Sequence, residues 1–330
     1  MKTLKLISSQ FLIALLALMA FSCGDDDTTT PTDDEMEETE EMTIAEFVSS
    51  SDDYSTLLAA VQYAGLTDAL SDEDATLTVF APNNDAFDTW LDGASLEDFT
   101  TDQVAQVLLN HVIDAELDAA TVTGAVPTYQ STLATGASEG TNTSIYINSD
   151  LIINNQSEIT GPDAFDASNG IIHAVDTVID LPTIVTFATA DPTFSSLVMA
   201  LTRETDYTYV DLLSSNDPDN DDSPFTVFAP TNDAFADLLT ELMLTSLADI
   251  ETATLTATLN THVVANANVL STDLTDGMMV STLGADLTVG LDPATLTDLN
   301  DRVANIIVTD VQAVNGVIHV IDTVVLPELP

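Results

Sequence analysis

TVFAPNNDAF at residues 78–87 and TVFAPTNDAF at residues 226–235 differ at one position in ten, too close a match for chance in a chain of 330 residues. The copy extends outward on both sides. Upstream, TIAEFVSSSDDYSTLLAAV from Thr43 aligns with TIVTFATADPTFSSLVMAL from Thr183, placing Phe47 on Phe187, Tyr54 on Phe194 and Leu57 on Leu197. Downstream, LLNHVI ending at Ile113 aligns with NTHVV ending at Val264, and NGIIHAVDTVIDLP from Asn169 aligns with NGVIHVIDTVVLP from Asn315. The chain is therefore a tandem of two homologous domains, residues 43–182 and 183–330. Each is long enough to bury its own core. A repeat of this length marks globular units in series rather than a solenoid.

Within each repeat the decapeptide reads as a junction. Thr78, Val79 and Phe80 favour a strand, Pro82 ends its ladder, and Asn83 caps the helix that follows. Asp85 sits in the first turn of that helix, where the dipole favours a carboxylate, and Phe87, Trp90 and Leu91 form its inner face. The second copy repeats the pattern with Thr226, Pro230, Thr231, Asp233, Phe235, Leu238 and Leu239. Before the junction, Tyr54, Leu57, Leu58 and Val61 recur at helical spacing, as do Phe194, Leu197, Val198 and Leu201, and Gly65 stops the first of these helices. The junction holds no nucleophile, phosphate loop or metal-ligand set.

The four histidines fall at matching places. His111 follows Val104, Val107 and Leu108 at helical spacing, and His262 follows Leu255, Thr258 and Leu259 in the same way, so each ring is expected on an apolar helix stripe. His173 and His319 lie in β-branched runs apolar on both faces, which predicts strands buried on both sides. A metal site or acid–base pair is the sharper reading. It meets a geometric objection: His173 and Asp176, like His319 and Asp322, are three residues apart, and in a strand that spacing points the side chains to opposite faces. No cysteine stands nearby to complete a zinc site, and no serine elbow accompanies any of the four. The expected role is that of buried, hydrogen-bonded structural histidines, with no cofactor.

The N-terminal MKTLKLISSQFLIALLALMAFSC carries Lys2 and Lys5, an apolar run to Phe21 and then small Ser22 before Cys23. This is the layout of a secretory signal peptide over residues 1–22, too short for a comfortable membrane span. Cys23 is the single cysteine of the chain, so no internal disulfide forms. Its place at the cleavage point resembles the lipidated cysteine of a bacterial lipoprotein. Residues 23–42 follow with ten acidic side chains, a composition that predicts a disordered tether reaching ~65 Å when extended. Asp25, Asp26 and Asp27 after Gly24 resemble the surface-export signal of lipoproteins in Bacteroidota-type outer membranes. The expectation is an outer-membrane lipoprotein on the cell surface, held to the membrane through its lipid.

Four basic residues face 55 acidic ones, for a formal net charge of −51. Both lysines lie in residues 1–22, so cleavage there would leave Arg203 and Arg302 alone against all 55 carboxylates. Nucleic acid and anionic membrane surfaces are excluded as electrostatic partners. Ion pairs are expected to matter little. The 45% hydrophobic content must supply the stability, against a self-repulsion that salt screens. Divalent cations bridging acidic surfaces are a natural consequence. In DPDNDD at residues 217–222, Asp217, Asp219 and Asp221 are similar to the start of a calcium loop. Asp222 stands where that loop needs glycine and Phe228 where it needs a ligand, so a solvated acidic loop is the expectation.

The ordered trio TVFAP(N/T)NDAF, L-x-x-H-V and NG(I/V)IH(A/V)(V/I)DTV resembles the fasciclin-like (FAS1) domain family, over essentially residues 43–328. The resemblance implies an α+β fold in each repeat, a wedge-shaped β-sandwich with several helices over one side and end. It also implies extracellular adhesion or matrix association without catalysis. The family often has tyrosine before the helix histidine, a position tied to integrin-type adhesion, whereas Asn110 and Thr261 stand there here. The leading expectation is a surface-anchored, non-enzymatic adhesion, matrix or biofilm module that meets extracellular protein or polysaccharide. A polysaccharide-binding lipoprotein for glycan capture is the alternative, and an enzyme ranks last.

Overall fold

The computed structural model describes residues 42–215 and 222–328. The signal segment, Cys23, all of the acidic tether except Met42, and Asp217, Asp219 and Asp221 lie outside the described residues. In the N-terminal domain the order is α1 (Ile44–Ser50), α2 (Ser55–Ala64), α3 (Thr67–Leu70), β1 (Leu77–Pro82), α4 (Asn84–Leu91), α5 (Thr101–Leu109), β2 (Val112–Ile113) and α6 (Ala119–Ala125), then β3 (Thr128–Thr135), β4 (Asn142–Ile147), β5 (Ile152–Ile153), β6 (Ser157–Ala167) and β7 (Gly170–Val175). The C-terminal domain runs α7 (Ile184–Ala190), α8 (Ser195–Leu201), α9 (Tyr209–Ser214), β8 (Phe225–Pro230), α10 (Asn232–Glu241), α11 (Thr252–Thr261) and β9 (Val263–Val264), then β10 (Met279–Val280), β11 (Leu287–Gly290), β12 (Thr295–Thr297), β13 (Val303–Ala313) and β14 (Gly316–Ile321).

Local chemistry sets these boundaries. Thr43 accepts from the Glu46 N–H while the Glu46 carboxylate accepts from the Thr43 N–H, a capping box that opens α1. Gly65, at φ +72°, closes α2. Asn83 Oδ1 accepts from the Ala86 N–H at 2.9 Å and Thr231 Oγ1 from the Ala234 N–H at 3.3 Å, so both decapeptides carry their helix cap. α5 ends at Leu109, before the stripe predicted to reach His111, because the chain must turn there to lay β2 against β1.

Each domain has one seven-stranded ladder, in the order β2-β1-β7-β6-β5-β4-β3 and β10-β11-β12-β13-β14-β8-β9. The decapeptide strand pairs in parallel with the closing strand, β1 with β7 and β8 with β14. β6 and β13 carry register shifts along their length, and there the ladder turns over on itself. A sandwich results from one folded sheet: Phe80 and Val175 share a core with Ile145 and Ile147 of β4, near the far edge of the same ladder. The opposite face of β1, with Leu77, Val79 and Ala81, packs under the helices against Leu57, Phe87 and Leu108. Alternation thus gives each domain two apolar cores, one inside the folded sheet and one beneath the helices.

Two turns admit glycine alone. Gly170 sits at φ +143°, where an added Cβ would lie 2.0 Å from the Leu77 carbonyl, and Gly316 at φ +157°, where it would lie 2.2 Å from that of Phe225. The domains are joined by packing as well as by chain. Tyr146 of β4 is buried among Ile184, Phe187 and Phe194 in the helix-side core of the C-terminal domain. Tyr129 of β3 packs edge-on against Phe187 and donates to Asp191 Oδ2 at 2.8 Å. The Gln312 N–H donates to Ser144 Oγ at 3.1 Å.

Candidate functional site

The duplicated polar residues converge on the main chain, at two stations in each domain. At the first, His173 donates from Nε2 to the Leu117 carbonyl at 2.7 Å, and its Nδ1 accepts the Asp163 N–H at 2.9 Å. Thr78 stands on the same face of the sheet: its Oγ1 accepts the Leu117 N–H at 2.8 Å and donates to the Ala115 carbonyl at 2.6 Å. Asp163 lies in the β6 bulge at φ +50°, and its carboxylate accepts the Ala119 N–H at 2.7 Å. Thr226, His319 and Asp310 repeat this on Ala267, Val269 and Ser271. The connection leaving β2 or β9 is thereby pinned to the sheet by three side chains.

At the second station, His111 donates from Nδ1 to the Val107 carbonyl at 2.8 Å and accepts the Ile179 N–H at Nε2, also at 2.8 Å. His262 repeats it between the Thr258 carbonyl at 2.8 Å and the Val325 N–H at 3.3 Å. These histidines tie the end of the α5 or α11 helix to the chain that leaves the closing strand. Burial pushes both from the usual 6.5 down to about 4, against the opposing pull of the helix carbonyl and of Asp180 or Asp298. His319 is lowered too, chiefly by desolvation.

All four rings are buried, with one nitrogen donating to a carbonyl and the other accepting an amide. No lone pair is left for a metal or for a substrate proton unless a main-chain bond breaks first. Asp176 and Asp322 do not meet their histidines. Asp176 Oδ1 accepts the Glu158 N–H at 2.8 Å and Asp322 Oδ1 the Asn305 N–H at 2.8 Å, which holds the ends of the bent strands. The carboxylate nearest His173 is instead that of Asp163, at 3.9 Å. Asp85 and Asp233 remain in the first turns of α4 and α10, Phe87 and Phe235 in the helix-side cores, and Pro82 and Pro230 at the strand ends. Among the described residues, no group of three or more His, Cys, Asp or Glu side chains is arranged to hold a metal ion.

Sequence reasoning passed over several residues with equal work. Asn169 Oδ1 accepts the Ile44 N–H at 2.9 Å while its Nδ2 donates to the Leu70 and Asp72 carbonyls, and Asn315 does the same for Ile184, Leu213 and Ser215. Asn84 and Asn232 bridge the start of α2 or α8 to the preceding turn. Their identity in both copies was the available signal. Arginine also matters more than composition implies. Arg203 Nη1 donates to the Leu247 and Ile250 carbonyls at 3.0 and 2.8 Å and Arg203 pairs with Glu204, and Arg302 pairs with Glu241 beside buried Asp298. Trp90 is half-buried, stacked on Phe99 and donating from Nε1 to Asp180, so it presents no free aromatic platform. Asn110 and Thr261 are fully buried, and the position before each helix histidine offers no surface contact.

The family described as Fasciclin domain matches twice, at residues 52–182 and 192–327. The uncharacterized protein sll1735 of Synechocystis sp. is 36% identical over 150 residues, covering 44% of this chain and 98% of that protein. Transforming growth factor-beta-induced protein ig-h3 of Oryctolagus cuniculus is 35% identical over 165 residues, 49% of this chain and 22% of its own length. Periostin of Homo sapiens is 26% identical over 261 residues, 77% of this chain and 28% of its own length. Among solved structures, a FAS1 domain pair from the insect cell adhesion molecule Fasciclin I is similar at a TM-score of 0.49 and 18% identity, covering 83% of this chain and 96% of that one.

Proposed function

Since the chain belongs to the fasciclin domain family, we propose that it is a surface-held, non-enzymatic adhesion or matrix module. Fasciclin domains are generally linked to cell adhesion and to interaction with the extracellular matrix. In this reading Cys23 carries the lipid, the acidic segment to residue 42 spaces the domain pair from the outer membrane, and the pair meets extracellular protein or polysaccharide. Calcium bridging between acidic surfaces belongs to the same reading.

One observation supports it above the others. The side chains repeated in both domains, and so the obvious candidates for chemistry, hydrogen-bond the domain's own main chain. A reactive centre needs a group whose proton or lone pair is free to engage substrate. The test compares cells lacking the gene with cells complemented by the wild-type chain or by Cys23→Ser. Attachment to surfaces and to neighbouring cells should fall in the deletion and return with the wild type. With Cys23→Ser it should stay low while the protein appears in the medium. Unchanged attachment in the deletion, under conditions where surface labelling detects the wild-type protein, would overturn the reading.

A further inference from the structure

The two domains differ in how they fill the space between helices and sheet. In the N-terminal domain a cavity of about 160 Å³ opens between α2, α5 and β1, lined by Leu57, Val61, Leu77, Val79, Leu108 and Val112 among others. At the matching place in the C-terminal domain the free volume is about 30 Å³. The fold itself therefore does not require the void, and particular residues decide it.

Three substitutions between the copies explain the difference. Phe225 stands where the N-terminal domain has Leu77, Leu201 where it has Val61, and Phe194 where it has Tyr54. Phe194 is buried against the C-terminal core and lines the residual space. Tyr54 stays half-exposed and packs on Phe47, which in turn stacks on Phe165 with ring centroids 4.3 Å apart. Its ring is absent from the lining, and Leu77 and Val61 are too small to take its place.

Such a cavity does not hold water well, because water needs two or more polar partners and the lining is apolar apart from Asp72 and from His111, whose two ring nitrogens are already taken by the main chain. A dry apolar void of about 150 Å³ accepts a benzene ring. The lining reaches the surface where α3 ends, at Ala69, Asp72 and Ala75. The Asp72 carboxylate at that mouth, in a chain of net charge −51, disfavours an anionic group. We propose that the N-terminal domain binds one small uncharged apolar group here, a single aromatic ring or a branched alkyl end of about six carbons, while the C-terminal domain does not. The proposal stands independently of adhesion.

The test titrates benzene into the full chain carrying Cys23→Ser, so that no attached lipid competes, and follows methyl resonances. Saturable shifts should appear at Val61, Val79 and Leu108 and be absent at Leu201, Val227 and Leu259. Leu77→Phe, which installs the residue of the C-terminal domain, should weaken binding by about tenfold or more while the spectrum stays dispersed. Should that variant not fold, Val61→Leu serves the same purpose with a smaller loss. The absence of saturable shifts in the starting protein, or undiminished affinity in whichever of these variants folds, would overturn the proposal.

Discussion

Thr78 and His173 grip opposite sides of one residue: Leu117 gives its N–H to Thr78 Oγ1 at 2.8 Å, and its carbonyl receives the Nε2–H of His173 at 2.7 Å. Thr226 and His319 hold Val269 in the same way in the other domain. The strand β1 contributes the threonine and the parallel strand β7 the histidine, so the grip exists once those two strands are paired.

Replacing Thr78 by valine keeps the shape but takes the partner from the half-buried Leu117 N–H and from the carbonyl of Ala115, an exposed residue whose carbonyl can turn to water. The net loss of each such bond is about 0.5–1.5 kcal/mol. The chemical unfolding midpoint should therefore drop for Thr78→Val and, by symmetry, for Thr226→Val. Combined with His173→Phe, the loss should be less than the sum of the single losses, since both side chains hold the same residue, Leu117. Full additivity in a double-mutant cycle would show that the two bonds are independent.

Acid should unfold the protein through its histidines. The folded-state pKa of His111 and of His262 is about 4 against an ordinary value of 6.5, so the unfolded chain binds more protons than the folded one between those values. Stability is then fully present above pH 6.5 and declines as pH falls toward 4, on the order of 3 kcal/mol per ring across the window. Denaturation monitored from pH 7 to 4 in molar salt, which mutes carboxylate repulsion, should show a slope approaching two protons from these rings, to which the lowered His319 adds. A flat profile would contradict the burial argument.

Heat should melt the two domains together. Tyr146 sits inside the C-terminal core, and Tyr129, Asp191, Ser144 and Gln312 add hydrogen bonds across the junction. Calorimetry of the intact chain should give one transition. Tyr146→Ala, at a cost of about 3 kcal/mol or more, should divide it into two. Two transitions already present in the starting protein would mean that the junction couples nothing.

Ionic strength should raise the melting temperature. The screening length shortens from about 10 Å at 0.1 M to about 3 Å at 1 M, which damps repulsion among surface carboxylates. Arg203 and Arg302 are held in tight local contacts, so salt has few favourable pairs to weaken. Equal midpoints in dilute and molar sodium chloride would show that self-repulsion is not a significant load on the fold.

Repetition, helix caps, turn residues and the two-sided apolar strands were legible in the amino-acid order, because each depends on neighbours within a few positions. Gly65, Asn83 and Thr231 act locally, and their roles follow from backbone geometry alone. The burial of the histidines was legible as well, since an imidazole in an apolar run has nowhere else to point. The partners of those rings were not. Leu117 is 56 residues from His173 and Ile179 is 68 from His111, separations that no local pattern encodes. The same holds for Asp163, which the β6 bulge brings to His173 in place of Asp176, and for the folding of one ladder into a sandwich. Which copy keeps a cavity depends on residues readable in the sequence, Leu77 against Phe225 and Val61 against Leu201, but also on whether the ring at Tyr54 or Phe194 turns outward or inward, which only the packing around it decides. Sequence order determined the elements and the two-domain plan, whereas closure of the chain determined which donor met which acceptor and where space remained.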